Sequence, residues 1–163
     1  VVDKSAYTLE LSFTDVVVAK TGNINRGDIV IIDSNAAETR LIKRVVAIEG
    51  DKVKLENNVL FINGEKATVS AKDHNLYSEQ ILGQTRTIAL NPLPSPAKNF
   101  NLVTVPRDHV LAMGDNRNNS VDSRHYGFIP IEEIQGKANS VAFSLDTENM
   151  YLPRKERFFT SLY

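Results

Sequence analysis

The chain has 163 residues, 42% of them apolar, which is the size of one domain with enough apolar side chains for a core. Nineteen Lys and Arg against twenty Asp and Glu leave a formal net charge of −1, so general attraction to nucleic acid is not expected. The absence of Cys excludes a thiol nucleophile, a disulfide framework and thiolate-bound zinc, and a three-His metal site would need His74, His109 and His125 together. A cofactor-free hydrolase or a binding module remains, and a chain without thiols suits an exported location.

The chain opens at Val1-Val2-Asp3, and no window approaches the roughly 18 apolar residues that span a bilayer. The expectation is a single soluble domain over 1–163, with any membrane anchor preceding position 1. Apolar residues come in short Val- and Ile-rich runs ending at Gly, Asn, Asp or Pro, the pattern of a mainly β protein. Strands are expected at 14–20, 28–33, 40–49, 52–56, 59–63, 101–105, 109–113 and 137–145, with few and short helices.

The run from Leu41 to Ile48 has apolar residues on both alternating faces and is expected to be central and buried. Lys43 and Arg44 lie inside it. An ammonium in apolar surroundings has its charged form disfavoured, so a buried Lys43 should have a lowered pKa and serve as a general base. The alternative is a lysine with a buried stem whose head reaches solvent. Next, 53–63 alternates on both sides of Asn57-Asn58, whose side chains tolerate positive φ, and reads as a two-residue hairpin, with a second turn at Asn63-Gly64. From about Ser70 to Asn101 the pattern weakens, ending in Asn91-Pro92-Leu93-Pro94-Ser95-Pro96, and an irregular excursion at the domain edge is expected.

The densest polar block is 113–124, Met113-Gly114-Asp115-Asn116-Arg117-Asn118-Asn119-Ser120-Val121-Asp122-Ser123-Arg124. It follows an apolar strand and reads as a structured loop whose Arg, Asp, Asn and Ser side chains satisfy one another and the turn backbone, with Asp122 and Arg124 able to pair. The tail Pro153-Arg154-Lys155-Glu156-Arg157 reads as a solvated basic end.

Three blocks in order, Arg26-Gly27-Asp28-Ile29-Val30, then Ile42 to Asp51, then Gly114-Asp115-Asn116-Arg117 with Ser120, Asp122, Ser123, Arg124 and Gly127, resemble the type I signal peptidase family. These membrane-anchored Ser/Lys endopeptidases remove signal peptides from exported proteins. The resemblance implies a mostly antiparallel, barrel-like β core acting without a cofactor at the extracytoplasmic face of the cell membrane. It implies Lys43 as general base, Ser120 as the hydroxyl that orients it, Asp122 with Arg124 as a supporting ion pair, and Asp115 and Arg44 as further supporting residues.

The first block departs from the family. Its nucleophile belongs to a Ser-Met-x-Pro-Thr-Leu segment about nine residues before an Asp that looks like Asp15, and counting back without a gap reaches Ala6, with Lys4 two residues earlier. Ser5 is the neighbouring alternative, although a strand residue moved by one faces the other side. Two readings follow. In the first, the chain resembles the signal-peptidase-like proteins of streptococcal pilus assembly, has a defective site at Ala6, and assists pilin polymerisation at the outer face of a Gram-positive membrane. In the second it is an active peptidase in which Ser5 attacks a signal peptide and Lys43 takes its proton, or an engineered variant of one. The partner is a signal peptide or a pilin subunit, with the membrane reached through an anchor, and no nucleic acid. A third reading, a β module of other purpose, treats the polar block as a turn.

Overall fold

The computed structural model describes residues 22–90 and 99–138 in full, and beyond them only short strands as backbone. In chain order the strands are β1 (Val2–Asp3), β2 (Thr8–Glu10), β3 (Val17–Lys20), β4 (Ile29–Ser34), β5 (Thr39–Ile48), β6 (Lys52–Glu56), β7 (Val59–Ile62) and β8 (Glu65–Lys66). They continue with β9 (Thr68–Asp73), β10 (Leu76–Ile81), β11 (Gln84–Ala89), β12 (Phe100–Thr104) and β13 (His109–Met113). A one-turn helix α1 (Ser123–Tyr126), β14 (Ile129–Pro130), a 3-10 turn at Ile131–Glu133 and β15 (Ile134–Ala138) follow. Two short pairs close the chain, β16 (Ser140–Val141) with β19 (Thr160–Ser161) and β17 (Leu145–Asp146) with β18 (Leu152–Pro153). The protein is mostly antiparallel β-sheet, as the apolar runs require. None of the described helices is long and apolar enough to cross a membrane.

The main sheet has the order β1-β15-β4-β5-β13-β14. Val30, Ile32, Val45, Val110 and Ala112 are buried on one of its faces. On the other, Val46, Ala47, Leu111 and Met113 pack with Val53 and Leu55 of β6 and Leu60 and Ile62 of β7, so the sheet β12-β6-β7-β8 closes a second core. The β5–β13 register shifts between Leu111 and Ala112, which is how Val46 and Ala47, adjacent in sequence, both enter this second core.

The hairpin is as read: Glu56 pairs with Val59 across Asn57 (φ 50°) and Asn58 (φ 63°), and Asn63 and Gly64 make the following turn. Three expectations need correction. β5 is central, between β4 and β13, but only its second half is buried; Ile42 is 62% exposed and Lys43 half-buried. The segment 68–89 is a three-stranded antiparallel sheet, β11-β10-β9, rather than an irregular excursion. Its inward positions include charged Glu79 and Arg86, which breaks the apolar alternation that marks a strand. The strand expected over 137–145 begins earlier, at Ile134; β15, β16 and β17 fall in or overlap that range, and residues 139 and 142–144 lie outside the described residues. Of the strand expected over 14–20, Val17–Lys20 is described; residues 14–16 and 91–98, with the basic run 154–157, lie outside the described residues.

Candidate active site

The three blocks meet where β5 lies against the end of β13. Arg44, opposite Met113 in the ladder, forks onto Asp115, with Nε donating to Oδ1 at 2.9 Å and Nη2 to Oδ2 at 2.8 Å, while Nη1 donates to the Gly27 carbonyl at 2.9 Å. One guanidinium therefore joins all three blocks, because only Arg offers enough donors in one plane to do so. Backbone bonds between Gly27 N–H and the Val45 carbonyl and between Val45 N–H and the Asp28 carbonyl, both 2.8 Å, carry the first block onto β5.

Beyond β13 the chain turns back on itself. Asp122 is fully buried and caps α1; it accepts from the N–H of Gly114 at 2.9 Å and of Arg124 at 3.2 Å, and pairs with the Arg124 guanidinium at 2.7 Å. Burial pushes the Asp122 carboxyl up, but the Arg124 and Gly114 hydrogen bonds outweigh it and hold it below the usual carboxylate range. Ser123 accepts from Ala112 N–H at 3.0 Å, a second stitch to β13. Ser120 lies directly on Gly114: a Cβ built there would stand 2.2 Å from Ser120 Oγ. That hydroxyl is buried and has no hydrogen-bond partner among the described residues.

Lys43 sits on β5 two residues before Val45, so pleating turns both to the same face. Gly114 likewise continues the face of Ala112, which packs in the same core as Val45. Lys43 and Ser120 are thereby brought to one side of the sheet. Among the described residues Lys43 forms no ion pair, and no hydrogen bond joins it to Ser120. Its half-burial corrects the expectation of a buried lysine, because β5 is open around Ile42. Ser5, Ala6 and Lys4 lie outside the described residues.

One functional group escaped the sequence reading. The polar loop does not satisfy itself: Arg117 reaches out to Glu79 on β10, with Nη1 donating to Oε1 at 2.8 Å and Nη2 to Oε2 at 2.7 Å. Arg86 on β11, paired with Glu79 in the ladder, donates Nε to the same Oε2 at 2.5 Å. All three side chains are buried. Burial pushes the Glu79 carboxyl up, but the two guanidiniums more than reverse this and hold it low. Ala89 adds a parallel bridge, its N–H donating to the Asp115 carbonyl at 2.8 Å and its carbonyl accepting from Arg117 N–H at 3.0 Å. The signal available was Glu79 between Tyr77 and Ile81, a charge at an inward strand position. Among the described residues no group of three or more His, Asp or Glu is arranged to hold a metal ion.

Residues 1–143 match the model of a family described as signal peptidase, peptidase S26. Signal peptidase I P of Bacillus subtilis subsp. natto is 31% identical over 141 residues, which are 86% of this chain and 71% of that protein. Signal peptidase IB of Staphylococcus aureus (strain COL) is 34% identical over 125 residues, covering 77% of this chain and 64% of the relative. A crystal structure of a signal peptidase I from Enterococcus faecalis V583 superposes with a TM-score of 0.48 at 25% identity, over 71% of this chain and 97% of that one.

Proposed function

The chain belongs to the signal peptidase, peptidase S26, family, and from that premise we propose that it is an active serine endopeptidase that removes signal peptides from exported proteins. The observation that carries the reading is the buried Ser120 hydroxyl, packed on Gly114 at the side of the main sheet to which Lys43 points, with no carboxylate paired to Lys43 among the described residues. A lysine base needs that freedom, because a carboxylate partner favours the ammonium, which has no lone pair with which to accept a proton.

Ser5 is the nucleophile in this reading. It stands ten residues before Asp15, where the family has its serine about nine before that Asp, so one inserted residue after Ser5 keeps a serine in place. The Ser5 oxygen attacks the scissile carbonyl as the Lys43 amine takes its proton. The amine product leaves with that proton, and the acyl group stays on the serine. Water, deprotonated by the same lysine, then releases the acyl group and restores the enzyme. Ser120 directs the lysine amine, and Asp122 with Arg124 holds the turn that carries Ser120. The substrate is an extended signal peptide and the place of action the extracytoplasmic face of the membrane, in keeping with the family.

Ala6 favours a second reading, in which the ungapped nucleophile position is lost and the chain binds pilin subunits during pilus assembly without cutting them. The test is incubation of the chain with an exported pre-protein in detergent, with the products mapped by mass spectrometry. The proposal expects one cut after a small residue and none by Lys43→Met. Binding of the signal segment without any cut would favour the second reading.

A further inference from the structure

On the face of β5 opposite Lys43, where Arg44 points, the main sheet and the β9–β11 sheet enclose a cleft of about 830 Å³. Its lining is cationic, and most of the charge is balanced. Arg26, Arg44 and Lys137 each have their own carboxylate, in Asp51 at 2.5 Å, Asp115 at 2.8 Å and Asp28 at 2.6 Å. Arg86 does not. It shares Glu79 with Arg117, so one buried carboxylate serves two buried guanidiniums. Arg86 Nη2 lies 2.5 Å from Glu79 Oε2 but out of line for a hydrogen bond, and it has no other acceptor among the described residues. Lys72, exposed across the same cleft, has no carboxylate among the described residues either; its Nζ donates to Thr87 Oγ1 at 3.2 Å. Ser78 and Thr85 line the space between.

A buried guanidinium in surplus is unfavourable unless an anion approaches it. Among the described residues the unbalanced charge amounts to two, from Arg86 with Arg117 and from Lys72. A phosphate group, which carries about −1.5 to −2 and three acceptor oxygens, matches that charge better than a single carboxylate does. Its oxygens also suit an Arg fork and hydroxyl donors. We propose that this cleft binds a phosphate group, with Arg86 and Lys72 as its charged ligands and Thr87 as a hydroxyl donor, at a site separate from the one that holds Lys43. Two sources present this chemistry, a soluble phosphate compound and the headgroup of an anionic phospholipid.

The test titrates the chain with inorganic phosphate by 31P NMR at ionic strength held constant with sodium chloride. In parallel, the chain is sedimented with phosphatidylglycerol vesicles and with phosphatidylcholine vesicles. The proposal expects saturable binding in at least one arm, weakened fivefold or more by Lys72→Glu and by Arg86→Met, and unchanged by Lys54→Ala, a lysine outside the cleft. Lys72 is exposed, so its variant keeps the test valid should Arg86→Met not fold. Phosphate binding assigns a soluble ligand, and binding to phosphatidylglycerol vesicles alone assigns a headgroup. No saturable binding in either arm, or binding that Lys72→Glu changes less than twofold, overturns the proposal.

Discussion

Gly114 has no side chain because Ser120 occupies the place where one would be. A methyl group there would stand 2.2 Å from Ser120 Oγ and 2.5 Å from its Cβ, and a serine is too short to swing its oxygen clear without moving the loop. Gly114→Ala is therefore expected to cost about 1–3 kcal/mol, read from urea unfolding, and to lower cleavage as Ser120 leaves its position. An unchanged midpoint would mean that the loop yields freely. Lys43 presents the opposite case. It is half-buried with no ion pair among the described residues, so Lys43→Met should change stability by no more than about 0.5 kcal/mol while abolishing cleavage. A cutting Lys43→Met variant would remove the lysine from the mechanism.

Among the elements, the β9–β11 sheet acts as a brace for the polar loop. It holds Arg117 through Glu79 and holds the loop backbone through Ala89. Glu79→Gln would leave two buried guanidiniums without a charge to face, and about 3–5 kcal/mol of destabilisation is expected by urea unfolding. By contrast Asp33→Asn, which breaks the exposed Arg40–Asp33 pair, should leave the midpoint nearly unchanged. Equal effects from the two would show that Glu79 is not a brace. The same sheet explains what the sequence concealed. Strands such as Lys52–Glu56 and His109–Met113 were legible to the residue because apolar side chains alone face their core. β10 and β11 were not, because a charged network replaces apolar contacts at Glu79 and Arg86, and their turn places a leucine, Leu82, at φ 50°, a conformation usually left to Gly or Asn. At the candidate site, Asp122 with Arg124 and the loop itself were legible from local spacing. Glu79, 38 residues from Arg117, was not, since only the folded sheet brings them together.

At the scale of the molecule, three buried carboxylates among the described residues are held low against the effect of burial: Asp122 by Arg124 and Gly114, Glu79 by Arg117 and Arg86, and Asp51 by Arg26, Ile48 and Asn63. A carboxyl whose native pKa lies below its unfolded value stabilises the fold fully above the unfolded value, about 4. That contribution disappears as pH falls through the native values. Stability from these groups should hold down to about pH 5 and then drop steeply. Asp122→Asn should be less stable at pH 7 and lose less between pH 5 and pH 2. Urea midpoints across that range test this, and parallel curves for the two proteins would contradict it.

The most direct test of the whole reading is the rate at which the chain and its Ser5→Ala variant cut the same pre-protein, both shown folded by circular dichroism. An active serine peptidase built on Lys43 predicts cleavage by the former and at least a thousandfold loss in the latter, about 4 kcal/mol of transition-state stabilisation. No cleavage by the unaltered chain, or equal cleavage by both, would contradict it.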